Sequence, residues 1–205
     1  MANEQETARY WRSDRGQDAF ERLLDEHYAA LFAGRPVTVD ERVFGEILRV
    51  DDFPSNRYVT LITRGLSLFI LDRGGSVTDG IRIELAWTVD RHAPIETLCD
   101  VIEWLVDPIL ESRAPPDINA ISARIDDVHA KGVIETRNVL FVTEQWISPS
   151  AAQIDNYFPM YIVEAVALND PEAAIARDDI DAFYRLARER RFAATSVVRT
   201  TPFGA

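Results

Sequence analysis

An α+β fold, with a mixed, mainly antiparallel β-sheet and flanking helices, follows from three observations on this 205-residue chain. Residues 81–89 (IRIELAWTV) alternate strictly. Ile81, Ile83, Leu85, Trp87 and Val89 share one face, and Arg82, Glu84, Ala86 and Thr88 the other, the period-two signature of a half-buried strand. Residues 160–168 (MYIVEAVAL) are apolar at both parities, as in a strand covered on both faces. Apolar stripes at helical spacing stand before, between and after the strand segments, giving the order helix, strands, helix, strands, helix.

The first sixteen residues (MANEQETARYWRSDRG) are polar and read as an extension, leaving 17–205 as a single domain. Phe20, Leu23, Leu24, His27, Leu31 and Phe32 form the stripe of a helix over 17–33, stopped by Gly34 and Pro36. Strands follow at 43–50 and 58–63, divided by the turn-forming DDFPSN. Gly65 suits a positive φ or a close backbone approach, and Ser67 can bond locally to hold a turn. Pro94 opens a helix whose buried side is Ile95, Leu98, Cys99, Ile102, Leu105 and Val106, and which Pro108 limits or kinks. A loop over 110–118 and a short run near 121–128 lead to strands at 139–147 and 160–168. A last helix, started by Asp178 and Asp179, reaches residue 190, with a short strand near 195–198.

Composition narrows the function classes. The net charge is −12, and residues 84–127 hold ten carboxylates against three arginines, a local balance of −7. Such a surface repels nucleic acid and anionic lipid and steers basic proteins toward itself. A stretch of eighteen apolar residues is absent, and the N-terminus lacks the apolar core of a signal peptide. The single cysteine, Cys99, excludes an internal disulfide framework and fits a reducing compartment, so a cytoplasmic location is expected.

An aromatic-led strand, Thr-x-Gly-hydrophobic-Ser, a loop, and a strand centred on hydrophobic-Glu-Leu occur here as Tyr58, Thr63, Gly65, Leu66, Ser67, Ile83, Glu84 and Leu85. This arrangement resembles the suppressor of fused domain family. The run 159–190 (PMYIVEAVALNDPEAAIARDDIDAFYRLARER) looks like that family's ending, a last sheet strand followed by an acidic-start segment and a terminal helix. The resemblance spans roughly residues 20–190 and makes Gly65, Ser67 and Glu84 structural motif residues. It implies protein binding, since no catalytic residues are recognised in the family. Bacterial members look like immunity proteins of toxin systems. From the residues alone, Glu84 is open to two readings. It is a solvated charge on a sheet face, or a carboxylate receiving the N–H groups of the 65–67 turn.

Catalytic and metal patterns are weak. Gly65-Leu66-Ser67-Leu68-Phe69 is half of a nucleophile elbow, with phenylalanine where the tight turn demands glycine, which leaves a hydrolase a remote alternative. Asp126, Asp127 and His129 match no recognised ligand spacing, and Arg73-Gly74-Gly75-Ser76 lacks the lysine of a phosphate loop. No metal or organic cofactor is expected. The favoured reading is a non-enzymatic protein-binding domain that neutralises a basic toxin. The outer face of the helix over 94–111, with Glu96, Asp100, Glu103, Asp107 and Glu111 at helical spacings, is the candidate contact. The alternative is a scaffolding module that takes a peptide at a sheet edge.

Overall fold

Helices α1 (Ala2–Trp11) and α2 (Asp14–Leu31) open this computed structural model, which describes residues 2–72, 79–143, 153–154, 157–189 and 195–197. Strands β1 (Val37–Arg42), β2 (Gly45–Asp51) and β3 (Tyr58–Arg64) form a meander. A 3₁₀ turn (Leu66–Leu68) and the short β4 (Leu71–Asp72) lead to the long central β5 (Gly80–Asp90). Helix α3 (Ile95–Ser112), β6 (Ile121–Arg124), the one-turn α4 (Asp127–Ala130) and β7 (Asn138–Val142) follow. The chain continues through β8 (Gln153–Ile154), β9 (Met160–Leu168), α5 (Asp170–Asp178) and α6 (Ile180–Glu189).

The described strands make one sheet in the order β1-β2-β3-β5-β9-β7-β6, with β4 also on β5 and β8 also on β9. Only the β5–β9 pairing is parallel among them, so the sheet is mixed and mainly antiparallel. α3 covers one face, on Leu61, Ile83, Leu85, Trp87, Val163 and Ala165. On the other, α2 packs Phe20, Leu24, Tyr28 and Phe32 against Leu48, Val50, Ile62 and Ile162. Further along that second face, α5 and α6 cover Leu140, Val142, Val166 and Leu168.

Covering both faces changes the reading of β5. The sequence marks it as half-buried, yet every residue from Gly80 to Val89 is buried, because α2 and the 65–68 turn close the polar-looking side. The α2 stripe also shifts: Tyr28 is buried and Leu23 is on the surface.

Other differences have local causes. The strand expected at 43–50 is the second arm of a hairpin, with its turn at Val43 and Phe44. β1 carries Val37 and Val39 on its exposed side, so burial gave no pattern to detect. α3 runs through Pro108 to Ser112. The ring lies on the exposed side, while Leu105, Val106 and Ile109 keep the last turns buried, so packing overrides the local cost of proline. The expected run at 121–128 divides into β6 and α4. Residues 2–11, read only as polar extension, are helical, and α5 is a helix of its own. Asn169 and Glu172 form its reciprocal capping box. Residues 144–147 of the expected β7 strand, residue 190 and residue 198 lie outside the described residues. Residues 195–197 are not a strand, but Thr195 and Val197 accept backbone bonds from Asp90, Glu135 and Thr136.

Trp87 lies fully buried at the centre of the α3-facing core. Trp87→Ala should therefore cost about 3–5 kcal/mol in equilibrium urea unfolding, and a loss below about 1 kcal/mol would contradict this packing.

Candidate functional site

The motif residues assemble where the sheet changes partners. β3 leaves β5 after the Ile62–Ala86 pair, and β4 takes up β5 again at Leu71–Ile81 in the same direction. The backbone of β5 between those pairings faces the 65–68 turn in place of a strand. Thr63 Oγ1 accepts the Leu85 N–H at 2.9 Å, standing in for the missing carbonyl. Glu84, fully buried, takes the turn's donors. Its Oε1 accepts the N–H groups of Gly65 and Ser67 at 3.0 Å each and the Ser67 hydroxyl at 2.6 Å, while its Oε2 accepts Thr63 Oγ1–H. The structure thus holds the second of the two arrangements open to Glu84.

Arg82, two residues earlier on the same face, takes the turn's acceptors. Its Nη1 donates to the Ser67 and Leu68 carbonyls at 2.6 and 3.2 Å. Its Nη2 donates to the Trp11 carbonyl at 3.0 Å, and the guanidinium lies 4.1 Å from the Phe20 ring centroid. One turn is therefore held by a carboxylate on its N–H side and a guanidinium on its C=O side. The same arginine ties in α1 and α2.

Gly65 has φ +130°, and a Cβ there would stand 3.1 Å from the Phe44 carbonyl oxygen and 3.2 Å from the Cα of Gly45. The two glycines let the β1–β2 hairpin and the turn approach backbone to backbone. Burial raises the Glu84 carboxyl above the ordinary range, against the opposing pull of its donors. Burial and then repulsion from Arg12 bring Arg82 down to about 10, so it stays charged at neutral pH. Burial, with Glu84 nearby, raises the Tyr28 phenol, which donates to the Thr63 carbonyl at 3.1 Å.

The Ser67 hydroxyl and the Cys99 thiol are both buried. Ser67 is fully buried and its hydroxyl donates to Glu84, so it is no exposed nucleophile. Asp126 caps α4 by accepting the His129 N–H at 2.9 Å and contacts His129 Nδ1 at 2.8 Å, a local cap rather than a ligand set. The Cys99 thiol is buried, which pushes it up to about 12. Among the described residues, no group of three or more His, Cys, Asp or Glu is placed to hold a metal, and no helix is long and apolar enough to cross a membrane.

The five carboxylates of the helix face separate into two sets. Asp100 is paired with Arg42 at 3.1 Å and with Lys131, and Glu103 with Arg42 at 3.2 Å. Lys131 and then Arg42 hold the Asp100 carboxyl below its usual range. Glu96, Asp107 and Glu111 are exposed, and no ion pair reaches them among the described residues. Arg42 sits on β1 and Lys131 just past α4. Neither long-range partner was legible in the sequence.

A search of family models finds no match, and neither does a search of curated proteins. Solved structures do match. The chain superposes on the chain in "the Sufu-Fu complex crystal structure" with a TM-score of 0.65 and 12% identity, covering 92% of each. The fold is that of suppressor of fused. A putative suppressor of fused homolog from Neisseria gonorrhoeae gives a TM-score of 0.58 at 8% identity, over 89% of this chain and 96% of that one. Drosophila Suppressor of Fused gives 0.61 at 11% identity, over 90% of this chain and 50% of that one. This chain therefore spans about half the length of the Drosophila protein.

Within this suppressor-of-fused-like fold, removing Glu84 strands two buried N–H groups. Glu84→Ala should cost about 3–5 kcal/mol in urea unfolding, and Glu84→Gln, which keeps the Oε1 acceptor, about 1–2 kcal/mol. Because the folded carboxyl lies above its unfolded value near 4, wild type should lose stability relative to Glu84→Gln as pH rises from about 4 through the folded value. Equal stability of the two variants would contradict the assigned bonds.

Proposed function

We propose that this chain is a non-enzymatic protein-binding domain, that its partner is a basic bacterial toxin, and that it acts in the cytoplasm as the cognate immunity protein. The carrying observation is the outer face of α3, where Glu96, Asp107 and Glu111 stand exposed without ion pairs among the described residues. Toxins that cleave nucleic acid carry basic clefts, and a rigid row of carboxylates is complementary to one. Two further points support the reading. The polar motif residues are consumed in holding the turn, and one superposed structure is a complex with a protein partner.

A second reading, peptide addition at a sheet edge by a scaffolding module, is favoured by β1. It is an end strand of the sheet, with Val37 44% and Val39 51% exposed and Val43 98% exposed at the hairpin tip. The neighbouring gene discriminates between the two. A large secreted protein with a toxin-like C-terminal region favours immunity, and its absence favours scaffolding.

Exposed charges act chiefly on the association rate. With the toxin region of such a neighbour as partner, the triple variant Glu96→Gln, Asp107→Asn, Glu111→Gln should associate roughly tenfold more slowly at low salt and with a shallower salt dependence. Equal rates for both proteins at low salt would remove α3 as the contact.

A further inference from the structure

The two end strands of the sheet differ in how open they are to another strand. β6 is four residues long, and its ladder shifts register between Ile121 and Ala123. Short length and a bulge both blunt an edge. β1 has neither. Its six residues pair with β2 without a break, from Val37–Val50 to Arg42–Gly45, and no proline interrupts them. Asp51 donates its N–H to the Pro36 carbonyl at 3.0 Å, which fixes the alternation along the ladder. Thr38, Asp40 and Arg42 turn their N–H and C=O groups to β2, so Val37, Val39 and Glu41 turn theirs outward. Val37, Thr38 and Val39 are all exposed, so neither face of the sheet is covered at this edge.

The side chains along the edge are complementary to themselves. Residues 35–42 carry Arg35 and Arg42 against Asp40 and Glu41, a neutral run in a chain of net charge −12. Arg42 is paired with Asp40, Asp100 and Glu103, which leaves Arg35 and Glu41 as the charges at the edge. Arg35 spends one Nη on the Asp52 carbonyl, and Glu41 is exposed with no ion pair among the described residues. Val37 and Val39 continue the apolar rows of Val50 and Leu48 on the α2-facing side. A second β1 added antiparallel, with a two-fold axis at Thr38, sets Val37 of each copy opposite Val39 of the other. Four valines then meet on one face, and the two Thr38 side chains meet on the other. Arg35 of each copy comes beside Glu41 of the other. Pairs of β-branched residues, of threonines and of opposite charges are favourable across strands. The adjacent registers lose this match. An axis at Val39 sets each Val37 against a Glu41, and one at Asp40 sets the two Asp40 carboxylates against each other.

We infer that β1 is a homodimer edge: two copies join antiparallel through residues 35–41 about a two-fold axis at Thr38, making one sheet continuous across the pair. The contact is small, one strand from each side, so the dimer is reversible. The inference goes beyond the partner reading above and is independent of it. It fills β1 and so competes with peptide addition there.

Sedimentation equilibrium of the wild-type chain should show monomer and dimer in exchange, with a dissociation constant on the order of 10–100 μM. Val39→Lys changes an exposed side chain whose N–H β2 does not use. It should weaken the dimer at least about tenfold and leave the urea midpoint unchanged. Arg35→Glu alone and Glu41→Arg alone should each weaken it about tenfold, and the double exchange should return it to within about threefold of wild type. Cysteine pairing reads the register. Thr38→Cys should form an intermolecular disulfide on mild oxidation, since the two positions face each other as a non-hydrogen-bonded pair about 4.5 Å apart at Cα. Val39→Cys and Asp40→Cys should not, because their Cα atoms stand more than about 7 Å from their mates. The buried Cys99 takes no part. A wild-type chain that stays monomeric to about 1 mM overturns the inference, as does a dimer untouched by Val39→Lys. A disulfide formed by Val39→Cys or Asp40→Cys in preference to Thr38→Cys also overturns it. So does a monomer whose Val37, Val39 and Glu41 amides shift with the blocked peptide Lys-Val-Thr-Val-Lys, an outcome that favours peptide addition. None of these readouts involves a toxin, so the immunity reading can fail without touching the dimer, and the dimer without touching it.

Discussion

The fold turns on a gap in the central ladder. β5 loses β3 after Ala86 and is met by β4 only at Ile81, which leaves backbone of the central strand facing a turn. In a sheet buried on both faces, each unpaired N–H or C=O there would cost free energy comparable to a lost hydrogen bond. The Thr63 hydroxyl, the Glu84 carboxylate and the Arg82 guanidinium close the gap. Thr63 accepts the Leu85 N–H of β5, Glu84 accepts the Gly65 and Ser67 N–H groups, and Arg82 donates to the Ser67 and Leu68 carbonyls. Burying two opposite charges to do this is costly, and the arrangement is tolerated because nearly every lone pair and proton finds a partner. α1 and α2 depend on it as well, since Arg82 reaches the Trp11 carbonyl and stacks on Phe20.

The parts legible in the sequence were those where burial imposes a period. β9 and the body of β5 follow their apolar residues, and α3 follows its stripe from Ile95 to Ile109. The parts that escaped have identifiable reasons. β1 is an edge strand whose valines face outward, so burial imposed no alternation. α3 passes Pro108 because tertiary packing outweighs the local cost. α5 did leave a signal, Asn169-Asp-Pro-Glu172, which spells a capping box with proline in the first turn.

The candidate site was legible to different depths. Gly65, Ser67 and Glu84 were marked by the family resemblance, and the turn held by a carboxylate was one of two readings the residues left open, since the contacts span 17 to 19 residues of sequence. Arg82 was passed over, since a strand arginine ordinarily lies in solvent, and only the three-dimensional meeting of Ser67, Leu68, Trp11 and Phe20 explains its burial. The acidic face of α3 was visible as a spacing. Its division into paired Asp100 and Glu103 and unpaired Glu96, Asp107 and Glu111 depends on Arg42 and Lys131, more than twenty-five residues away along the chain. The unpaired carboxylates therefore stand at the two ends of the helix, Glu96 in its first turn and Asp107 and Glu111 in its last turns.

The Glu84-held turn belongs to the cooperative core rather than to a loop laid over it. Native-state hydrogen exchange of the Gly65 and Ser67 amides measures this directly. Both amides should exchange only through global unfolding, with the same denaturant dependence as Leu85 and Val163 in the central strands. Exchange of either amide at the rate of an exposed loop, or through a small local opening, would contradict it.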